Sequence, residues 1–222
     1  MTGATRRRWT RRILFGVAAL AVLVVGASWA FIRLQPTLPP LALPTAPAGA
    51  PVGPLDGTWA VSAGSVAGFR VPETAFGMSN EVVGRTTAVS GTIVLAGDRV
   101  TAATFRIGLT AVEVNGKAQP QFARSLDTRR FPDATFTLAR PVAVGSAPGG
   151  AGAAAGQLGV NGVTRPVTVT ISWRRDGAAL EVTGTIPVAF TAWDIRGPAG
   201  YGFFGSLADH GVAEFLLTLH RV

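Results

Sequence analysis

The chain has 222 residues, 48% of them hydrophobic, a formal charge of +8 and no cysteine. That length suits one sizeable domain with accessory segments, and the missing cysteines exclude disulfide staples and thiol chemistry. The charge does not make a nucleic-acid surface: of the 20 basic residues, Arg6, Arg7, Arg8, Arg11, Arg12 and Arg33 flank one apolar run, and the other 14 face 12 acidic residues.

The N-terminal arm, residues 1–12, is basic. Residues 13–32, "ILFGVAALAVLVVGASWAFI", carry no charge. As a helix rising about 1.5 Å per residue this run spans roughly 30 Å, the thickness of a bilayer core. Five arginines precede it and one follows, so the positive-inside bias keeps the N-terminus cytoplasmic and exports the rest. Trp9 and Trp29 lie near its two ends, where interfacial aromatics are favoured. Ser28-Trp29-Ala30 offers the competing reading of a cleaved signal peptide; the length of the run and Arg33 directly after it favour a retained single-pass anchor. Either reading places the remainder outside the cytoplasm, at the cell membrane in the anchored case.

Residues 33–55 hold seven of the 15 prolines. Such a stretch tends to polyproline II and forms a semi-rigid spacer, roughly 60 Å if extended at about 3.1 Å per residue. A disordered connector would serve similarly.

From residue 56 to 222 the period is two. Ala103, Phe105, Ile107 and Leu109 alternate with Thr104, Arg106, Gly108 and Thr110. Val167, Val169, Ile171 and Trp173 alternate with Thr168, Thr170, Ser172 and Arg174. Val182, Gly184 and Ile186 follow the same rule, as do Phe215, Leu217 and Leu219, though Leu216 breaks it. Alternation makes one face of each strand wet and the other apolar. Turn signals at Gly97-Asp98, Asn161-Gly162 and Asp176-Gly177 separate the runs, as antiparallel hairpins in a barrel or sandwich require. Residues 117–130 interrupt the rhythm, with Phe122 and Leu126 at helical spacing after Pro120. Residues 143–156, "AVGSAPGGAGAAAG", are Gly/Ala low complexity and predict a mobile loop without function.

Catalytic chemistry is scarce. The domain has His210, His220 and Lys117, and none of the nucleophile-elbow, zinc-helix or phosphate-loop motifs. Asp209-His210 is the only acid–histidine neighbour pair; adjacent strand residues point to opposite faces, so the two meet only if the segment is a loop. Asp127 and Asp133 read as helix-end and strand-start residues. No catalytic residue, metal ligand or cofactor is assigned. The abundant feature is apolar bulk, and a barrel of about eight strands leaves an interior wide enough for a small ligand. Parity nominates Phe69, Phe105, Ile107, Leu109, Phe136, Leu138, Val167, Val169, Ile171, Phe190 and Phe215 as lining residues. In "GVNGVTRPVTVTI" the Asn161-Gly162 pair suits a type I′ turn, Pro166 belongs near a strand start, bulge or edge, and Arg165 falls at the rim, within reach of a polar head.

Three stretches resemble one family. "DGTWAVSAGSVAGFRV", "RSLDTRRFPDATF" and "GQLGVNGVTRPVTVTI" are similar, in that order, to the opening strands, the helix-to-strand segment and the hairpin signature of YceI-like domains. The resemblance covers residues 56–222 and implies an all-β fold, an extended antiparallel lipocalin-like barrel with a short helix near its mouth. It also implies an exported protein whose elongated apolar cavity binds polyisoprenoid chains, including quinone-like lipids. Many members carry an Arg-Asp pair just before the helix; here Ala118-Gln119 stands there, so no role of that pair carries over. The leading expectation is an exported, membrane-tethered binding or carrier domain for an isoprenoid or quinone-like lipid. The alternatives are a structural or protein-interaction barrel with a filled core, in which Phe203-Phe204 forms a partner patch, and an enzyme built on Asp209, His210 and Arg165.

Overall fold

A computed structural model describes residues 38–75, 77–145, 147–197 and 205–222. The apolar run at 13–32 and the Phe203-Phe204 pair lie outside the described residues. β1 (Gly57–Val61), β2 (Val66–Ala75), β3 (Met78–Thr86), β4 (Val89–Ala96) and β5 (Arg99–Gly108) are followed by two short strands, β6 (Glu113–Val114) and β7 (Lys117–Ala118), and by helix α1 (Pro120–Ser125). Then come β8 (Asp133–Leu138), β9 (Val142–Ala143), β10 (Gly149–Val160), β11 (Val163–Asp176) and β12 (Ala179–Ala189). A 3₁₀ turn over Phe190–Trp193, β13 (Gly205–Leu207) and β14 (His210–Arg221) complete the order.

Eight strands close an antiparallel barrel in the order β1-β4-β5-β8-β10-β11-β12-β14, and β14 returns to pair with β1. Closure removes the open edges that a flat sheet of this size would present. β14 is long enough to pair with β1 at Leu219 to Arg221 and with β2 at Val212 to Leu216. β2, β3 and β6 therefore extend the wall upward on that side. The lower end carries the turns at Gly97-Asp98 and Asp176-Gly177; the upper end carries the β10–β11 turn, α1 and the 3₁₀ turn. Asn161 (φ 51) and Gly162 (φ 75) both take the left-handed backbone that a tight I′-type hairpin needs.

Two expectations are corrected. The mobile loop expected over 143–156 is strand from Gly149 onward: β10 is twelve residues long and paired with β11 from Gly149↔Arg174 to Val160↔Val163. Main-chain pairing needs no side chain, and the inward face of β10 is small because its neighbours' rings occupy that space. The Pro-rich linker at 33–55 is likewise not a free spacer over its described part. From Leu38 the chain runs down the outside of the barrel as a strap. The backbone N–H of Leu41 donates to Glu214 Oε2 (2.9 Å), and Leu41 O accepts from Thr183 Oγ1 (3.0 Å). Arg174 Nη1 donates to the carbonyls of Pro44 (2.8 Å) and Ala46 (2.7 Å). Near the lower end Gly49 N donates to Asp176 Oδ1 (2.7 Å) and Val52 N to Gly177 O (2.9 Å). Proline forbids helix and lacks a donor, but its carbonyls remain free, and arginines on the outer wall take them.

Candidate functional site

Along β14 the inward side chains are Phe215, Leu217 and Leu219, along β12 Leu180, Val182, Gly184 and Ile186, and along β5 Ala103, Phe105 and Ile107. The lower third is packed solid. Trp59 (1% exposed), Leu219 (0%), Leu217, Leu180, Ile93, Leu95 and Ala103 form its floor. Trp59 Nε1 donates to Leu55 O (2.8 Å), and the Arg175 guanidinium lies 5.7 Å from the Trp59 ring centroid while its Nη1 and Nη2 donate to Gly53 and Val52 carbonyls. The end of the strap thus closes the barrel from below.

Above this floor the inward side chains behave differently. Phe105, Ile107, Phe136, Leu138, Val167, Ile171 and Phe215 all face inward in a closed barrel, yet all remain half-buried. A side chain inside a filled core has neighbours on every side. These pack against the buried clusters on one side and keep accessible surface, as the wall of an apolar lumen above the floor would. Leu109 and Val169 are buried more deeply, the first with Val112, Val114 and Leu126, the second with Leu158, Ile186 and Trp193. Phe105 and Phe136 stack across β5 and β8 with centroids 6.5 Å apart.

The mouth is built from three pieces. Helix α1, where the Pro120 spacing predicts it, presents Phe122 to stack on Phe69 (5.0 Å, 14° between planes). Trp193 of the 3₁₀ turn is 4% exposed, and its indole N–H donates to Leu158 O (3.1 Å). The β10–β11 hairpin holds that turn: Asn161 Nδ2 donates to the carbonyls of Trp193 (3.2 Å) and Asp194 (3.1 Å), and Arg165 Nε to that of Ala192 (3.1 Å).

Of the eleven residues nominated by parity, ten belong to or pack against the packed clusters of the interior. Among the described residues Phe190 does not join the packed clusters of the interior; β12 ends at Ala189, and the parity rule stops with it. Arg165 is exposed beside the β10–β11 turn, and its Nε holds the 3₁₀ turn at Ala192 O. Nothing in the spacing marks Asn161 as the second fastener, beyond its fitness for the turn.

Asp209 and His210 do meet, with Oδ1 and Nδ1 3.0 Å apart, because Asp209 precedes the strand and is free to turn back. The hydrogen bond from His210 holds the Asp209 carboxyl below the usual carboxylate range. Both side chains are exposed, 88% and 64%, so the pair lacks the desolvated setting that tunes a catalytic dyad. Asp127 lies past the end of α1 in a left-handed conformation (φ 44), and Asp133 begins β8 and pairs with Arg106 (3.0 Å). Among the described residues no three His, Asp or Glu side chains converge as a metal site.

Outside the barrel, a buried charge cluster lies under the strap. Glu214 is 3% exposed on the outward face of β14. Arg70 Nε lies 2.8 Å from its Oε1, Arg85 Nη1 pairs with the same oxygen, and Arg70 also reaches Glu81 (2.8 Å). Arg70 Nη2 donates to Leu38 O and Arg85 Nη2 to Pro39 O (3.0 Å).

A family model described as YceI-like domain matches residues 59–214. Among curated proteins none matches the sequence. Among solved structures, the chain is similar to a polyisoprenoid binding domain from Saccharophagus degradans implicated in plant cell wall breakdown: 18% identity, TM-score 0.57, covering 74% of this chain and 98% of that one. It is also similar to BcnA of Burkholderia cenocepacia, at 17% identity and TM-score 0.53, covering 68% of this chain and 95% of that one. At such identities the likeness is one of fold.

Proposed function

This chain belongs to the YceI-like domain family, and from that premise we propose that its barrel binds and carries one long apolar chain, an isoprenoid or related amphiphilic lipid such as a quinone-like molecule. The observation that carries this reading is the contrast inside the barrel: a floor buried to 0–1% at Leu219 and Trp59, and above it apolar side chains that face inward and stay half-buried. An apolar lumen with one sealed end suits a chain more than a compact molecule. Each CH₂ group removed from water is worth about 0.8 kcal/mol, so a chain of many such groups binds well without a strong polar contact. The polyisoprenoid binding ascribed to the Saccharophagus degradans neighbour supports the ligand class.

We include in the proposal a membrane tether at residues 13–32 with the barrel outside the cytoplasm, supported by the uncharged 20-residue run and its arginine bias. A lipid carrier benefits from remaining near its source and sink. The expected result for the full chain purified from membranes is an isoprenoid-class lipid recovered by solvent extraction and identified by mass spectrometry. No extractable lipid, together with no uptake of added long-chain polyprenol or quinone, overturns the reading in favour of a structural or protein-interaction barrel.

A further inference from the structure

We infer that a set of inward glycines, each lying beneath a phenylalanine ring, sets the bore of the lumen and so selects the chains it admits; for the ligand this rests on the lipid-carrying reading, for the geometry it does not. Phe69 stands opposite Gly84 across β2 and β3, Phe105 opposite Gly91 across β5 and β4, and Phe215 opposite Gly184 across β14 and β12. Phe136, opposite Leu158, leans one pair along the ladder onto Gly156. The four pairs are spread around the wall.

The contacts are too close for any side chain on the glycines. A Cβ on Gly84 would lie 2.2 Å from Phe69 Cε1, on Gly156 2.3 Å from Phe136 Cε2, on Gly184 2.5 Å from Phe215 Cζ, and on Gly91 2.7 Å from Phe105 Cδ1. Carbon atoms in contact sit about 3.5–4.0 Å apart, so each ring rests directly on backbone. Backbone freedom explains only one of the four: Gly91 has φ 144, whereas Gly84, Gly156 and Gly184 are not in the positive-φ region. At those three, space is the reason for glycine. Aromatic rings laid across strand glycines also shield backbone that would otherwise be left bare.

The consequence is geometric. In a closed barrel, a phenylalanine displaced from its glycine has wall on either side, and only the axis offers room. Glycine opposite phenylalanine therefore lets the wall hold large rings while the axis stays clear. A methyl at any of these positions tips a ring inward and narrows the passage, first for methyl-branched isoprenoid chains and less for slender saturated ones. Gly84 is the cleanest test, since the nearest atoms to its added Cβ are all in the Phe69 ring; Gly184 also approaches Thr170 O at 2.8 Å.

The experiment compares Gly84→Ala, Gly184→Ala and the relief pairs Gly84→Ala/Phe69→Leu and Gly184→Ala/Phe215→Leu with the unaltered protein. Thermal melts first establish that each is folded. Loading is then measured with a long-chain polyprenol, with a saturated fatty alcohol, and with xenon, an apolar probe that has no head group and enters dry cavities. The expected result is about tenfold weaker polyprenol loading in the single variants, the loss of roughly two buried CH₂ groups, with the fatty alcohol less affected, xenon uptake reduced, the Gly84→Ala/Phe69→Leu pair restored and the Gly184→Ala/Phe215→Leu pair restored only in part, since Thr170 O still meets the added methyl. Folded single variants that load polyprenol and xenon like the unaltered protein overturn the inference. If Gly184→Ala does not fold, Gly84→Ala decides. Xenon uptake without uptake of any lipid by the unaltered protein removes the carrier reading instead, and the bore is then judged on xenon alone.

Discussion

Leu219 and Ile171 are both aliphatic, both on the inward face, and only one of them is surrounded. Leu219 is 0% exposed in the floor cluster with Trp59, Leu180 and Leu217, whereas Ile171 packs only partly against the neighbouring cluster. Removing a surrounded side chain loses its transfer energy and leaves a cavity, about 2–5 kcal/mol for leucine or isoleucine to alanine. A side chain bordering a lumen has fewer partner atoms to lose. Leu219→Ala is therefore expected to lower unfolding free energy by about 3–4 kcal/mol and Ile171→Ala by less than half of that, read from urea denaturation of the delipidated protein. Equal losses at the two positions would mean that the barrel is filled at the height of Ile171. At the same scale, Arg165 shows that a position can be legible while its role is not. Parity puts it at the rim, but the partner of its guanidinium is a main-chain carbonyl, which carries no signature in sequence.

At the level of elements the strap is the part that charge governs. Glu214 pairs with Arg70 and Arg85, Glu81 adding the second negative charge through Arg70, and it takes the Leu41 N–H in a place nearly shut off from water. Removing one partner from a buried ion cluster is costly because the others remain buried and uncompensated. Glu214→Gln is expected to destabilise the protein by on the order of 3 kcal/mol and to make residues 38–55 a preferred site of limited proteolysis. Loss of stability with an unchanged digestion pattern would detach the charge cluster from the strap. Much of the rest of the architecture is legible in the sequence. Strict alternation marks β5, β11 and β12, Asn161-Gly162 marks the hairpin, and Pro120 with Phe122 and Leu126 marks α1. β10 escapes because glycine and alanine produce no hydrophobic periodicity, although they pair through the main chain as well as any residue. The strap escapes for a related reason: its contacts run through main-chain N–H and carbonyl groups, and the arginines that meet the carbonyls lie 32 to 130 positions away. The lumen is half legible. Parity finds the inward faces of the strands, but not the floor, since that depends on Trp59, Arg175 and the strap arriving together from distant parts of the chain.

For the molecule as a whole, the pairings that close the barrel join opposite ends of the domain, as in Trp59↔Arg221. Non-local pairings of this kind make folding slow, in the millisecond-to-second range typical of all-β domains. The strap lies even further along that scale. Its bond from Leu41 to Glu214 spans 173 positions, and it can form only on a wall that β12 and β14 have already completed. The strap is therefore the first part of the domain to be synthesised and the last to find its place. Interactions absent from the rate-limiting step change unfolding and leave folding alone. Glu214→Gln should then leave the refolding rate nearly unchanged and speed unfolding by about a hundredfold, measured by stopped-flow dilution; a matching fall in refolding rate would put the strap in the folding nucleus. A chain that fastens its earliest segment last carries its own completion signal: a docked strap reports that every strand beneath it has been made and paired.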